Sequence, residues 1–526
     1  MSHNIFRTWI PDWGIKMVLI FCMLHSMVLL GLYTSNLTYA TSFLDVETED
    51  LQYAMSITYG TFLATILIES RFFNYFPPRN YFIAIYVLAA FTFIISAYTH
   101  DFIPFLILRM IEGILMALPW IPLRILLLTR FKSKNSTITV FSFTYGTLLV
   151  ATPFIVNIAV WLLENYNWKY MAYGSAFFQF LCVSLLMLTL NGNRFQKKIP
   201  LYQIDWASYI LVLAAILSGS FALVYGEKKY WFESEVICLA SITALITSGL
   251  FIARQLLVKR PCFNLSVFRH SNLRTGLLLF ILFYISRATL SICHTTMATV
   301  WNWEAVRVAQ FQYVNAFGNL IGILIAAILL SRTVATKYIF ILGFSLMAVY
   351  HLWFTFLFVP DAAYSDILIP YVLQGVAVGV LFVPLVLFTV SSVPHKLAPF
   401  SGTVGVAGRF WGSTIGFCIM QNSQVFLQQK HFTRFRQVII AENPQVQEHL
   451  IELANQYTVN GFSEDDAAKT ALKQLVAETT KQSILVTNME IFTAVGIGLV
   501  VLVILLSINR HLQQTFDLFR NKNWGS

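Results

Sequence analysis

The sequence predicts an all-α integral membrane protein of fourteen transmembrane helices, built as two six-helix repeats with two further helices inserted between them. Three observations support this prediction. Of 526 residues, 57% are hydrophobic and only 11% are charged, whereas about a quarter of the residues in soluble globular domains are charged. Apolar runs of about 20 residues, the length that spans a bilayer, follow one another along the chain. Two stretches also recur at a nearly constant spacing.

The predicted spans are separated by short polar connections. The first is too long for the hydrophobic region of a signal peptide and lacks a small-residue cleavage site, so we expect it to be retained. The fourteen spans cover residues 17–40, 54–73, 81–98, 103–129, 137–161, 171–190, 206–225, 235–256, 274–298, 310–331, 337–358, 367–392, 401–425 and 488–508.

Positive charges predict the orientation. Twenty-one Lys and Arg residues lie in the connections of one side, against four (Lys169, Lys228, Lys229 and Arg307) in the short connections of the other. Cytoplasmic loops are enriched in Lys and Arg, and an even number of spans places both ends on one side. Both termini are therefore expected in the cytoplasm. The long connection at residues 428–487 would then lie outside, as a solvated helical cap or alternatively as a docking surface for a periplasmic partner.

An internal repeat relates the two halves of the chain. Residues 109–113 align with residues 371–375 at an offset of 262 (371 − 109), and residues 52–60 align with residues 310–318 at an offset of 258 (310 − 52). Such self-similarity indicates a structural unit that occurs twice. The predicted domains are a first bundle at residues 1–190, two inserted helices with their linker at 191–273, and a second bundle at 274–526 that includes the external loop 428–487.

Two parallel bundles of six helices resemble the major facilitator fold, whose halves rock about a binding site near the membrane midplane. Motifs along the whole chain narrow this to a resemblance to the fourteen-span drug:proton antiporter family. They are Leu51-Gln52-Tyr53, the segment 109–113, Asp205-Trp206, Tyr225-Gly226-Glu227, Phe268-Arg269-His270, and Gly402, Arg409, Gly412 and Gly416.

The resemblance implies a secondary transporter of the bacterial inner membrane, not an enzyme, powered by the proton motive force without a cofactor. Its expected partners are a small amphipathic substrate, membrane lipid and, as in relatives from two-membrane bacteria, a membrane-fusion adaptor and an outer-membrane duct. Nucleic acid is not expected as a partner. The six cysteines are scattered singly, so no metal site is predicted. No Gly-rich nucleotide loop is present, so ATP is not expected to drive transport directly.

The loop between spans 2 and 3 departs from the family pattern. Asn74 and Pro77 stand where the family has Asp and Gly, so the latch that closes the inner side is expected to be weaker. The acidic residue that the family often carries in span 1 is missing from this sequence. Leu30 lies near the corresponding position. The residues assigned to gating or helix packing are Glu69, Arg71, Asn74, Arg79, Gly146, Pro153, Arg409 and Gly412.

Charged residues inside spans are costly, so each is a functional candidate. Arg109 and Glu112 are three positions apart and can pair on one helix face. Burial and the arginine act on the carboxyl in opposite directions, as a proton carrier requires, so both are assigned to proton coupling. The alternative is a permanent ion pair that fixes span 4.

The remaining intramembrane arginines are candidates for the substrate cavity. Arg287 has no acidic residue within four positions, so it is either a counter-charge for an anionic substrate or a donor to the carbonyl groups of a broken helix. Arg124 either lines the cavity or reaches the inner headgroups. The full predicted set for the cavity is Arg287, Arg124, Trp120, Tyr371, Gln374, Phe317 and Tyr145.

The balance of these charges predicts the substrate class. Four arginines (Arg109, Arg124, Arg287 and Arg409) stand against Glu112, which favours an anion such as a fatty acid, bile salt or acidic antibiotic. The leading hypothesis is a proton-coupled exporter of amphipathic compounds. The alternative is a proton-independent or import-direction transporter of organic anions with the same fold. An intramembrane enzyme is disfavoured because the histidines and carboxylates do not cluster at one membrane face.

Overall fold

A computed structural model describes residues 5–31, 37–133, 135–259, 261–391, 393–440, 442–509 and 512. Within these ranges the chain forms seventeen α-helices and no β-strand longer than a single bridge. The inner basic residues Lys134, Arg260, Arg510, Arg520 and Lys522 lie outside the described residues. The helices are α1 Asp12–Met23, α2 His25–Gly31, α3 Leu37–Leu44, α4 Thr48–Tyr75, α5 Pro78–Ser96, α6 Phe102–Leu128, α7 Ser136–Asn165, α8 Trp168–Thr189, α9 Trp206–Tyr225, α10 Glu235–Leu257, α11 Ser271–Thr299, α12 Ala305–Ser331, α13 Thr336–Thr355, α14 Tyr364–Ser391, α15 Ala398–Val438, α16 Pro444–Val459 and α17 Glu464–Ile508.

Thirteen membrane-spanning segments in the described part of the chain are long and apolar enough to cross a bilayer, the first of them combining α1 and α2. α15 also runs through the bundle, packed against α4, α11, α14 and α17. It is more polar along its 41 residues, because the helix continues into a polar segment that ends at Val438. The prediction of an all-helical membrane fold with about fourteen spans is therefore confirmed.

The ends of three predicted spans were wrong. Span 1 was predicted at residues 17–40, but its helix begins at Asp12 and is divided at Leu24. Spans 13 and 14 were predicted to end and begin near residues 425 and 488, whereas α15 continues to Val438 and α17 begins at Glu464. Polar helix-forming residues extend both helices beyond the apolar segment, and hydropathy alone does not register such an extension. With α16, they form the helical region that was predicted for the long connection at residues 428–487.

Helices α12 and α14 pack backbone to backbone. A Cβ atom added to Gly318 would meet the carbonyl oxygen of Val372, and one added to Gly322 would meet that of Val376. Gly375 and Gly379 make the reciprocal approaches from α14. In the first half, Gly113 of α6 lies equally close to the carbonyl oxygen of Thr58 in α4. The positions that the sequence repeat aligns, Gly113 and Gly375, thus have equivalent surroundings.

We expect Gly322→Leu to destabilise the protein strongly, because the new side chain cannot fit without separating α12 from α14. Overpacking in a close-packed interior costs about 1–3 kcal/mol or more. The measurement is thermal unfolding of purified protein in detergent. The matched control is Gly249→Leu on α10, where a Cβ atom meets nothing within 4 Å. Equal unfolding temperatures for the two variants would contradict the close packing.

The inserted helices α9 and α10 form a hairpin that packs through α9 against α4 of the first half and α15 of the second. At one end, the Tyr225 hydroxyl donates to Asp50 Oδ1 at 2.5 Å, and Trp231 Nε1 donates to Asn422 Oδ1 at 3.1 Å. At the other end, Arg254 donates to Asp205 at 2.9 Å. The hairpin therefore covers the lateral seam between α4 and α15.

The end of this hairpin that carries Asp205 and Arg254 is expected to loosen in acid. Burial alone would raise the pKa of Asp205, but hydrogen bonds from Arg254 and Ser208 outweigh it and hold the pKa below its usual value. The stabilisation is therefore present at neutral pH and is lost as the pH falls through the lowered pKa. We expect Asp205→Asn at pH 7 to accelerate hydrogen exchange across residues 191–205. The control variant Asp361→Asn, in an exposed loop, should not accelerate exchange there. Equal exchange rates in the two variants would contradict the role of Asp205.

Candidate functional site

A cavity of about 280 Å³ lies between the two halves, near the middle of the bundle. Helices α2, α4, α6 and α7 line it from the first half, and α11, α14 and α15 line it from the second. Most of its wall is apolar or aromatic, as expected of a pocket for an organic ligand. The lining residues are Met27, Gln52, Met55, Ser56, Tyr59, Phe62, Met116, Trp120, Leu148, Thr152, Tyr284, Arg287, Phe382, Arg409, Phe410, Ser413 and Thr414.

The charges of this wall are all positive. Arg287 and Arg409 are its charged members, and none of the lining residues is Asp or Glu. The guanidinium carbon of Arg287 lies 5.9 Å from the centre of the Tyr284 ring, and that of Arg409 lies 5.3 Å from the centre of the Tyr145 ring. Both guanidinium groups therefore lie beside aromatic rings in a wall that is mostly apolar.

Arg287 is presented by a continuous helix. α11 runs unbroken from Ser271 to Thr299, so the alternative in which Arg287 binds the carbonyl groups of a broken helix is wrong. Its neighbour in the wall, Tyr284, is one turn away on the same face. Tyr284 was not predicted from the sequence, although an aromatic residue three positions before an intramembrane arginine was a usable signal.

Glycines on α15 bring Arg409 to the cavity. A Cβ atom on Gly412 would lie 3.0 Å from Tyr284 Cβ, and one on Gly416 would lie 3.1 Å from the Ile285 backbone, so α15 packs closely on α11. Arg409 Nε donates to the carbonyl oxygen of Gly405 at 3.3 Å, which orients the side chain. Arg409 was assigned to gating and packing, and the structure places it on the cavity wall as well.

Arg109 and Glu112 form a buried ion pair on α6. Arg109 also donates to the carbonyl oxygen of Leu29 at 3.2 Å and lies over the Phe105 ring at 5.3 Å. The structure thus brings together the two residues assigned to proton coupling. Neither is part of the cavity wall, although Met116, one turn from Glu112, is.

Arg124 faces the bundle interior. Its Nη1 donates to the Tyr145 hydroxyl at 3.2 Å, and its guanidinium carbon lies 4.9 Å from the centre of the Phe141 ring. It also acts electrostatically on Glu69. These contacts do not fit the alternative in which Arg124 reaches the inner headgroups. Arg124 and Tyr145, both predicted for the cavity, are not among its lining residues. Tyr145 contacts the lining residues Arg409, Phe382 and Trp120.

Glu69 is more deeply buried than sequence analysis expected, with 2% of the residue exposed. It was assigned to a gate beside Arg71, but Arg71 donates instead to Gln203 at 3.2 Å. Glu69 is therefore a second buried acidic residue on a membrane-spanning helix, in addition to Glu112. Its burial was not predicted, because in sequence it is close to a basic loop.

Three predicted cavity residues lie away from this cavity. Tyr371 and Gln374 are buried where α14 packs on α12: Asn315 donates to Gln374 Oε1 at 2.5 Å, and the Tyr371 hydroxyl bonds His294 at 2.7 Å. Phe317 has 61% of its surface exposed. Trp120, by contrast, lies on the cavity wall, 6.1 Å from Tyr145 between ring centres.

The other residues assigned to gating occupy two regions. Asn74 lies in the last turn of α4, and Arg79 lies in the first turn of α5, which begins after Pro77. Gly146 and Pro153 lie on α7 where it packs against α12, and a Cβ atom on Gly146 would meet Ile323 at 3.5 Å. Among the described residues, no three His, Cys, Asp or Glu side chains come together as a metal site.

Comparison with known proteins gives consistent matches over most of the chain. A family model described as Major Facilitator Superfamily matches residues 17–417. The multidrug export protein EmrB of Haemophilus influenzae is 23% identical over 439 residues, covering 81% of this chain and 82% of that protein. The fatty acid resistance protein FarB of Neisseria gonorrhoeae is 22% identical over 434 residues, covering 80% and 82%.

Among solved structures, a peptide transporter (the POT E310Q mutant, in complex with sulfate) superimposes with a TM-score of 0.58. The two chains share 12% sequence identity, and the match covers 93% of this chain and 94% of that one. At this identity the likeness concerns the fold alone. It agrees with the arrangement of helices around a central cavity.

Proposed function

Since the chain belongs to the major facilitator superfamily, a family of membrane transporters, we propose that it is a proton-coupled exporter of amphipathic organic anions. The observation that carries the substrate class is the pair Arg287 and Arg409 on a wall without carboxylates. A charge inside a membrane protein must be compensated by an opposite charge, and an anionic headgroup would supply it. The apolar part of the substrate would then contact Met55, Met116 and Phe62.

The direction and the coupling rest on further support. The relatives named above are a multidrug export protein and a fatty acid resistance protein, which favours export of apolar compounds. Glu112 is a buried carboxylate one turn from the cavity wall, and we assign it, with Arg109, to proton coupling. No cofactor is required in this proposal, because the proton motive force drives transport.

We place the protein in a bacterial inner membrane, with both termini in the cytoplasm and the ends of α15 and α17 outside. In that orientation α16 and the extensions of its two neighbours form an external surface. We assign this surface to a membrane-fusion adaptor, which would connect the transporter to an outer-membrane duct. This assignment is tested by whether the adaptor co-purifies with the full chain but not with a variant that lacks residues 428–487.

The function is tested in liposomes that contain an internal pH dye and carry an imposed proton gradient. The probes are octyl sulfonate and octyltrimethylammonium, whose permanent charges prevent them from carrying protons through lipid by themselves. We expect the anion, and not the cation, to dissipate the gradient. This should occur with wild type and with the control variant Glu235→Gln, which changes an exposed residue on the outer side. Glu112→Gln, reconstituted in equal folded amount, should abolish the effect.

Two outcomes would contradict the proposal. Dissipation by the cation alone would exclude an anionic substrate. Anion movement that is equal without a gradient and in Glu112→Gln would favour the second candidate, a proton-independent or import-direction transporter of organic anions. The observation that supports this second candidate is Asn74, which weakens the loop motif.

A further inference from the structure

The lateral seam between α4 and α15 lies directly beside the cavity. More than half of the lining residues belong to these two helices, one from each half of the fold. Tyr59 of α4 meets Phe410 of α15 there, with ring centres 5.7 Å apart. Both rings line the cavity. A path from the lipid to the cavity through this side of the protein therefore has to pass between them.

Helix α9 packs into the seam behind these two rings. The positions that follow the rings in sequence, Gly60 and Trp411, both face it. A Cβ atom added to Gly60 would lie 2.5 Å from Cγ2 of Ile216 on α9, and one added to Gly219 on α9 would lie 2.9 Å from Cη2 of Trp411. Ile216 keeps 3% of its surface exposed. Each helix of the seam is thus in close contact with α9, and α10 covers α9 from the lipid.

Hydrogen bonds fasten the hairpin to the first half of the fold. They follow α4 from one end towards the other: Tyr225 donates to Asp50 at 2.5 Å, Tyr53 donates to the carbonyl oxygen of Leu217 at 3.4 Å, and Tyr209 bonds Thr65 at 3.3 Å. The bond to α15, from Trp231 to Asn422, lies at one end of the hairpin. The hairpin should therefore move with the first half and slide against α15 when the halves rock.

The bilayer itself contains molecules with the chemistry of the proposed substrate. Anionic phospholipids such as phosphatidylglycerol combine a negative headgroup with apolar chains, and basic pockets between transmembrane helices bind such headgroups. The cavity presents Arg287 and Arg409 on a mostly apolar wall. An open seam would expose this site to a large excess of phospholipid, which would compete with the substrate.

We propose that the hairpin of α9 and α10 determines substrate specificity: α9 seals the seam between α4 and α15 and so excludes anionic phospholipids of the surrounding bilayer from the cavity. This inference rests on the proposed function as a transporter of amphipathic anions and deepens it. It implies that a substrate reaches the cavity from an end of the bundle, because the hairpin stays over this seam as the halves move.

The test locates phospholipid directly, without substrate or gradient. The probe is phosphatidylglycerol that carries a photoreactive diazirine in one acyl chain, and the protein is the full chain in lipid nanodiscs. After illumination, digestion and mass spectrometry identify the labelled residues. In wild type we expect labelling of the exposed residues of α10, such as Leu245. The cavity residues Met55 and Phe62 should stay at background.

Two variants should open the seal in different ways. Ile216→Ala removes the side chain that packs on Gly60, and Gly219→Leu displaces Trp411. Labelling of the cavity residues should rise about tenfold or more, since a packing loss of this size shifts an equilibrium by at least that factor. Because the variants act oppositely on packing, the inference stays testable if one of them does not fold.

The matched controls make the same changes on α10. Ile242→Ala alters an exposed isoleucine, and Gly249→Leu adds a side chain where a Cβ atom meets nothing within 4 Å. Both should keep the cavity residues at background. The inference is overturned if these residues are already labelled in wild type, if the folded seal variants stay at background, or if the controls label the cavity equally.

A second lipid separates this inference from the proposed function. Phosphatidylcholine with the same diazirine chain has no net charge. If the seal variants admit phosphatidylglycerol in preference, both the seal and the anionic site are supported. If they admit the two lipids equally, the seal is supported and the anion preference of the proposed function fails. Background labelling with both lipids overturns the seal, whatever the substrate.

Discussion

Arg287→Gln is expected to raise the concentration of octyl sulfonate needed for half-maximal transport by about 10- to 100-fold. A hydrogen bond to a charged group contributes about 1.5–3 kcal/mol, and each 1.4 kcal/mol is a factor of ten in affinity. Glutamine keeps the approximate length and polarity of arginine but removes the positive charge. Arg287→Lys should retain part of the affinity, since it keeps the charge but loses the planar fork.

The control for this prediction is Arg307→Gln. Arg307 is exposed at the start of α12, where its guanidinium carbon lies 4.6 Å from the centre of the Trp303 ring. The Arg307→Gln variant should transport anions within about twofold of wild type, as expected when a surface charge is removed. Equal effects of Arg287→Gln and Arg307→Gln would indicate a general influence of protein charge. That result would exclude a substrate site at Arg287.

The apolar segments were sufficient to predict the fold, because the bilayer imposes this pattern on any chain that spans it. The repeat also indicated which helices are equivalent, and Gly113 and Gly375 lie at matching close contacts. The full lengths of α15 and α17 could not be predicted in this way. The parts of both helices next to α16 are polar and continue beyond the apolar segments, where hydropathy carries no information about helix ends.

Trp120 was chosen because its span borders a cavity in this fold, and it lines the cavity wall. The cost of charge burial pointed to two further residues of the wall. Arg287 and Arg409 were identified as candidates for this reason, and both line the cavity. Tyr371 and Phe317 were chosen because their spans border a cavity in this fold, but which face of a helix points inwards depends on its packing. The burial of Glu69 was not predicted, because in sequence it stands beside the basic loop that follows α4.

The two halves have diverged in charge at one equivalent pair of positions. The repeat aligns Arg109 and Glu112 with Tyr371 and Gln374. In the first half this pair is an ion pair, and in the second half it is a neutral pair that hydrogen-bonds Asn315 and His294. The fold therefore accepts a neutral pair at this place. The charges of the first half are not required by the packing of the repeat, which favours a role in coupling.

This difference between the halves predicts how substitutions of the pair change the stability of the protein, and the second half supplies the control sequence. Arg109→Gln should destabilise the protein by about 3–5 kcal/mol, because removing one member of a buried ion pair leaves the other charge uncompensated. Glu112→Gln should destabilise it less, since Arg109 keeps its bond to Leu29 and its contact with Phe105. The double variant Arg109→Tyr with Glu112→Gln copies the second half and should recover most of the loss.

Thermal unfolding in detergent at pH 8 and pH 5 measures this cycle and distinguishes the two roles of the pair. If Glu112 accepts a proton during transport, wild type in acid should approach the stability of Glu112→Gln, because protonation and the amide both neutralise the carboxyl group. A permanent ion pair would instead keep the same difference between the two proteins at both pH values. That second result would remove Glu112 from the coupling mechanism and leave Glu69 as the buried carboxyl group available to carry it.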